Sequence, residues 1–138
     1  QVSSTPLAGG ENFHSQQFDR ALSSPVLKVI QPDITKWGGV SGNASVGRRA
    51  VAANKRYCPH YFGGGISLLA SLQVLAAVGG EGMLEFDAHP NLGREAVVGD
   101  LLPLQHGSVP VPKGPGLGAI PNLSKLIEHQ TWTGRVRA

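Results

Sequence analysis

The chain is poor in several things that would define other classes of protein. A single cysteine, Cys58, leaves no internal disulfide to form, and it suits a reducing, cytoplasmic compartment, which is the expected location. No run of residues is long and apolar enough to span a bilayer, and the first residues lack the charged and apolar regions of a signal peptide. Charged residues make up only 15% of the 138 positions, and the net charge of +3 is scattered. Arg48, Arg49, Lys55 and Arg56 are expected together on one solvated helix face. No aromatic residues are interleaved with them, which argues against a nucleic-acid patch. A GxSxG elbow, a GxxxxGK[ST] phosphate loop and a zinc-type cysteine cluster are all missing.

What is present is hydrophobic content of 41%, enough for one globular domain with a modest core, and an unusual supply of turn formers, with 19 glycines and 10 prolines. Four segments end an apolar run on a side chain capable of chemistry: PLAGGEN on Glu11, VIQPD on Asp33, YCPH on His60 and MLEFD on Glu85. Helical patterns lie between them. Residues 15–22 place Phe18 and Leu22 on one face, residues 41–56 favour a helix with a basic far end, and residues 66–78 are apolar nearly all round. Strands are expected at 6–10, 26–30, 57–60 and 83–86, the second stopped by Pro32. Strand, loop and helix repeating at this rhythm signify parallel βα units, with the catalytic-type residues at the carboxyl ends of the strands. The expected fold is therefore α/β, a partial TIM-type (β/α) barrel of about four βα units. A carboxyl-terminal wrap follows, broken up by prolines and ending in a short helix over 121–129. The division is placed at residues 1–95 for the half barrel and 96–138 for the tail.

Asp33 and His60 end consecutive strands. A carboxylate bonded to one imidazole nitrogen would fix the tautomer and raise basicity at the other. Spacing alone is equally satisfied if Asp33 caps its own turn and His60 is a loop residue after Pro59. Glu11 follows two glycines and offers hard oxygen donors of the kind Mg²⁺ takes, although one carboxylate is not a metal site. Glu85 and Asp87 share a face of an extended segment. His14, Lys36 and His89 lie near strand ends as weaker substrate contacts, Lys28 reads as a barrel-exterior residue and Trp37 as a packing or lid residue. Gly63-Gly64-Gly65 before a helix is a weak anion signal.

Taken in order, GGENF, QPDITKWGG, PHYFGGGISLLAS, LEFDAHPN and GPGLG resemble the carboxyl-terminal part of the mandelate racemase and muconate lactonizing enzyme branch of the enolase superfamily. The resemblance implies that Glu11 is the last of three carboxylate ligands to Mg²⁺. It also implies that Asp33 and His60 form the general-base dyad, and that Glu85 donates a hydrogen bond to the substrate carboxylate as it becomes an enolate. It implies an enzyme abstracting the proton α to a carboxylate of a small carboxylic or sugar acid, an acid-sugar dehydratase before a racemase or cycloisomerase. The family's amino-terminal capping domain, second-strand lysine and first two metal carboxylates have no counterpart in these residues. The chain, which begins at Gln1, is expected to start near the fifth barrel strand and to be inactive alone. It would need the missing amino-terminal part as its partner, with homo-oligomers expected. A catalytically inert half-barrel module is the alternative.

Overall fold

The computed structural model describes residues 4–130 and 134. In chain order they form β1 (Leu7–Gly9), α1 (Ser15–Ser23), β2 (Leu27–Ile30), α2 (Gly39–Ala52), β3 (Arg56–Tyr57), α3 (Gly65–Val78) and α4 (Leu92–Val98), then a 3₁₀ turn at Ser124–His129. The three strands pair in parallel in the order β1-β2-β3. Parallel neighbours need a crossover, and each is supplied by the helix between them. Ala8 opposes Val29 and Gly9 opposes Ile30, while Val29 opposes Arg56 and Ile30 opposes Tyr57. The sheet is thus a fragment of a βα barrel wall, with β2 central.

Two cores sit behind the sheet. Phe18 and Ala21 of α1, Ile30, Tyr57, Val46 and Ala50 of α2, and Ala70 and Val74 of α3 make the first. Leu68, Leu69 and Leu72 of α3 join Tyr61, Val97, Val98 and Leu102 in the second. Helix α3 serves both, flanked by α2 and by α4. This double burial is why its sequence is apolar nearly all round rather than amphipathic.

Four expectations need correction. The helix expected at 41–56 runs from Gly39 to Ala52, because Asn54 takes a left-handed conformation (φ 54°) that a helix cannot continue through. Arg48 and Arg49 therefore share α2, but Lys55 and Arg56 do not. Lys55 donates to the carbonyls of Ser24 (2.6 Å) and Leu27 (2.5 Å), and Arg56 opens β3. The strand expected at 57–60 is a ladder of only two residues, extended by one isolated bridge.

Residues 83–86, expected as a fourth strand, form no ladder among the described residues. The Met83 N–H goes to Cys58 Sγ (3.3 Å), and the Tyr61 N–H goes to the Glu85 side chain (3.1 Å). Side chains thus take donors that a backbone ladder would use. Lastly, α4 was not anticipated. Asn91 caps it, its Oδ1 accepting from the Arg94 N–H at 2.9 Å, and the helix runs across positions 95 and 96.

Beyond α4 the chain returns over α3. Gln73 Nε2 donates to the carbonyls of Pro112 (2.8 Å) and Leu117 (3.1 Å), tying the proline-rich stretch to that helix. The 3₁₀ turn falls within the expected 121–129 helix, with Leu126 packed on the second core and Leu123 and Ile127 exposed.

Candidate active site

The parallel ladder carries past the regular strands. The Cys58 N–H donates to the Ile30 carbonyl (3.0 Å), the His60 N–H to the Pro32 carbonyl (3.1 Å), and Asp33 and His60 form an isolated parallel bridge. Residues 27 positions apart are thereby placed side by side, and their side chains meet. His60 Nδ1 lies 2.8 Å from Asp33 Oδ2. Asp33 is 3% exposed, and its other oxygen accepts from the Thr35 N–H (2.7 Å) and hydroxyl (2.6 Å). Burial pushes the Asp33 carboxyl up, but the hydrogen bonds from Thr35 and His60 outweigh it, and the net direction is down. An ionised carboxylate can only accept, so His60 Nδ1 carries the hydrogen and Nε2 is left as the basic atom.

Glu11 approaches that basic atom from β1. The Gln31 N–H donates to the Gly9 carbonyl at 2.9 Å, and Gly10 adopts φ 143° with its backbone so near Gln31 that a Cβ would sit 2.8 Å from the Gln31 nitrogen. Only glycine is comfortable there, and the tight turn delivers Glu11 to the rim. Glu11 Oε1 lies 3.6 Å from His60 Nε2 and is ion-paired to Lys36 Nζ, which also lies 3.3 Å from Asn12 Oδ1. The hydrogen bond from Lys36, followed by the charge of His60, holds the Glu11 carboxyl below its ordinary range.

Glu85 reaches the same rim from the far side, its Oε2 accepting from the Tyr61 N–H next to the dyad. The four residues therefore lie in one row: Glu85 on the Tyr61 N–H, then His60 with Asp33, then Glu11 with Lys36. Lys36, first read as a weak contact, is central to it. Thr35 was missed, although an Asp followed two residues later by Thr is a readable turn signal.

Other candidates fall elsewhere. His14 precedes α1, where its N–H donates to Gln17 Oε1 (2.8 Å), and Lys28 is exposed. Trp37 packs on Phe18, ring centroids 5.0 Å apart. Asp87 turns to His89 (3.0 Å), itself 85% exposed, and to Arg94. Gly64 precedes α3 at its amino end, and Asn91 Nδ2 donates to the Gly63 carbonyl at 3.0 Å.

The donor chemistry at Glu11 fits a hard cation: a carboxylate oxygen and the Asn12 amide oxygen both face the Lys36 ammonium, so this corner already attracts positive charge. Among the described residues no group of three acidic, histidine or cysteine side chains gathers to hold an ion, and Glu11 with Asn12 does not make a metal site by itself.

Comparison with known proteins gives the family. Residues 1–125 match the enolase C-terminal domain-like family. The chain is 35% identical over 134 residues to D-galactarolactone cycloisomerase of Agrobacterium fabrum, covering 91% of this chain and 35% of that protein. It is 30% identical over 114 residues to arabinonate dehydratase of Saccharolobus solfataricus, covering 82% of this chain and 30% of the relative. A mandelate racemase/muconate lactonizing enzyme structure from Bordetella bronchiseptica superposes with a TM-score of 0.77 at 45% identity, over 88% of this chain and 34% of that one. The chain thus spans about a third of the length of the relatives it matches. It belongs to the enolase C-terminal domain-like family, as the carboxyl-terminal part of a barrel of the mandelate racemase and muconate lactonizing enzyme branch.

Proposed function

We propose that this chain contributes one side of the active site of an enzyme that abstracts the proton α to the carboxylate of a sugar acid, with dehydration as the favoured outcome. The observation that carries the reading is the Asp33–His60 pair, with His60 Nδ1 hydrogen-bonded to a buried carboxylate and Nε2 on the side of Glu11. The relatives D-galactarolactone cycloisomerase and arabinonate dehydratase support the substrate class.

An α-proton beside a carboxylate is very weakly acidic, so the barrier is set by the charge that builds on the carboxylate oxygens as it leaves. His60 Nε2 accepts the proton. The resulting imidazolium is stabilised by Asp33 on one side and by the Glu11 carboxylate on the other, both already in place. Glu85, with one oxygen held by the Tyr61 N–H, faces the substrate carboxylate with its other oxygen and would donate a hydrogen bond to it only when it carries a proton as the carboxylic acid. In a dehydratase, the proton held at Nε2 can then be returned to the departing β-hydroxyl, so that water leaves. Enolase-superfamily enzymes generally use Mg²⁺, and Glu11 with the Asn12 amide beside it would hold one edge of such an ion. When bound, the ion neutralises carboxylate charge as a Lewis acid. Any remaining ligands, and a second base on the opposite face of the substrate, would have to come from outside these residues.

His60→Asn in the full-length protein tests the proposal. We expect exchange of the substrate α-proton in D₂O, followed by proton NMR, to fall by at least about a hundredfold, in the range of lost general-base catalysis. Exchange and turnover at wild-type rates would remove His60 from the role. A full-length protein with no activity toward any sugar acid would favour the inert module.

A further inference from the structure

A guanidinium is buried beside the second core, where it stands over Phe86. Arg94, on α4, is 7% exposed. Its Nη1 donates to the Asp87 carbonyl (2.5 Å) and its Nη2 to the His89 carbonyl (2.9 Å). Nη2 also lies 3.1 Å from Glu95 Oε1, and Nη1 3.8 Å from Asp87 Oδ2. The guanidinium carbon stands 5.4 Å from the centroid of the Phe86 ring. Phe86, Asp87 and His89 all belong to the turn that immediately follows Glu85.

Burying an arginine is costly unless its charge and donors are all engaged. Here most of the engagement is with one turn, through two of its carbonyls, its carboxylate and its aromatic face, with Glu95 on the same helix and the Tyr61 side chain as further partners. These carbonyls lie in a segment that forms no ladder, so the planar fork of Arg94 does for residues 86–89 what strand pairing does for β1 to β3. The same helix start ties down the opposite loop. Asn91 Nδ2 donates to the Gly63 carbonyl, which also accepts from the Tyr61 hydroxyl, and the Tyr61 N–H returns to Glu85 Oε2. A closed circuit thus runs from Glu85 through Phe86–His89 to Arg94, through Asn91 to Gly63 and Tyr61, and back to Glu85.

The geometry points to Arg94 as a positioning residue for Glu85: it holds the turn after Glu85 and so sets where the carboxyl stands relative to His60. Arg94 itself touches neither the dyad nor Glu85. The inference rests on the assignment of Glu85 to the site made above, and it predicts dependence on fork geometry rather than on charge alone. Lysine keeps the charge but cannot reach both carbonyls in one plane.

Arg94→Lys, Glu85→Gln and the double variant of the full-length protein test this, with two readouts. In turnover, a displaced carboxyl lowers kcat by up to about a hundredfold, with less change in KM. The double variant should be no slower than Glu85→Gln alone, because Arg94 acts through Glu85. Multiplying effects would show that Arg94 acts on something else and would overturn the inference. The second readout needs no activity. The Tyr61 amide should exchange with solvent about tenfold faster in Arg94→Lys, the equivalent of one lost hydrogen bond, while the amides of Leu68–Leu72 keep their protection. Unchanged Tyr61 exchange would refute the positioning role, and loss of protection throughout α3 would show a general scaffold role instead. A wild-type protein without activity would sink the proposed reaction, and Tyr61 exchange would still decide the role of Arg94.

Discussion

Replacing Asp33 by asparagine tests the dyad with a change of one atom. The shape is kept, and the amide oxygen can retain both contacts from Thr35 at 2.7 and 2.6 Å. What changes is the group facing His60 Nδ1 at 2.8 Å, which becomes an NH₂ donor. Two donors cannot share that distance, so the imidazole must move its hydrogen to Nε2, the atom needed to accept the substrate proton. The charge-assisted bond is lost as well, worth about 1.5–3 kcal/mol when its partners are as buried as these. Wrong-tautomer substitutions of this kind in other His–Asp pairs cost about 10⁴ in turnover. We therefore expect α-proton exchange to fall by about 10³–10⁴, with a stability loss limited to the one bond.

The pH dependence carries a sign of its own. Asp33 titrates below its unfolded value, so its stabilisation is fully present above the ordinary carboxyl range and fades as pH falls through the depressed folded value. The Asp33 carboxylate's share of the stability gap between wild type and Asp33→Asn should accordingly fade below about pH 4. The assays are proton NMR of α-exchange and denaturant unfolding of the full-length protein at several pH values. Exchange within about tenfold of wild type, or a gap that fails to narrow below about pH 4, would refute the tautomer argument.

Other outcomes follow from the same contacts. Lys36→Met should raise the Glu11 carboxyl toward its ordinary range in Mg²⁺-free buffer, since the hydrogen bond from Lys36 is the main cause of its depression; a carbon-13 titration that leaves Glu11 unmoved would contradict this. Gly82→Ala should destabilise by about 1–3 kcal/mol, the usual range for overpacking, because a Cβ at Gly82 would overlap the Tyr57 carbonyl oxygen; an unchanged denaturation midpoint would show that residues 82–86 can move away from β3 freely.

Much of the local structure was legible in residue pattern. The β-branched run before Pro32 reads as β2, and the apolar stretch of α3 stops where Gly79 takes φ 73°. The glycines before Glu11 mark a turn. Less legible were features governed by neighbours. Asn54 ends α2 through a left-handed backbone that composition does not betray, and this sends Lys55 to the carbonyls of Ser24 and Leu27. Residues 83–86 have strand composition, but the donors they would pair are taken by Cys58 and Glu85 side chains. Asn91 is a readable helix cap, yet nothing local says that Arg94, three residues on, will be buried.

By itself the sequence determined that Glu11, Asp33 and His60 follow β1, β2 and β3, and in what order along the chain. Hydrophobic periodicity and turn chemistry act over a few residues and need no partner. Only the tertiary structure decided that these ends meet. Parallel register sets Asp33 against His60, the tight turn at Gly10 turns Glu11 toward His60 Nε2, and the Arg94 clasp sits on the turn that carries Glu85. Each of these depends on a hydrogen bond or close contact between segments distant in the chain, and such pairings exist only once the helices have packed.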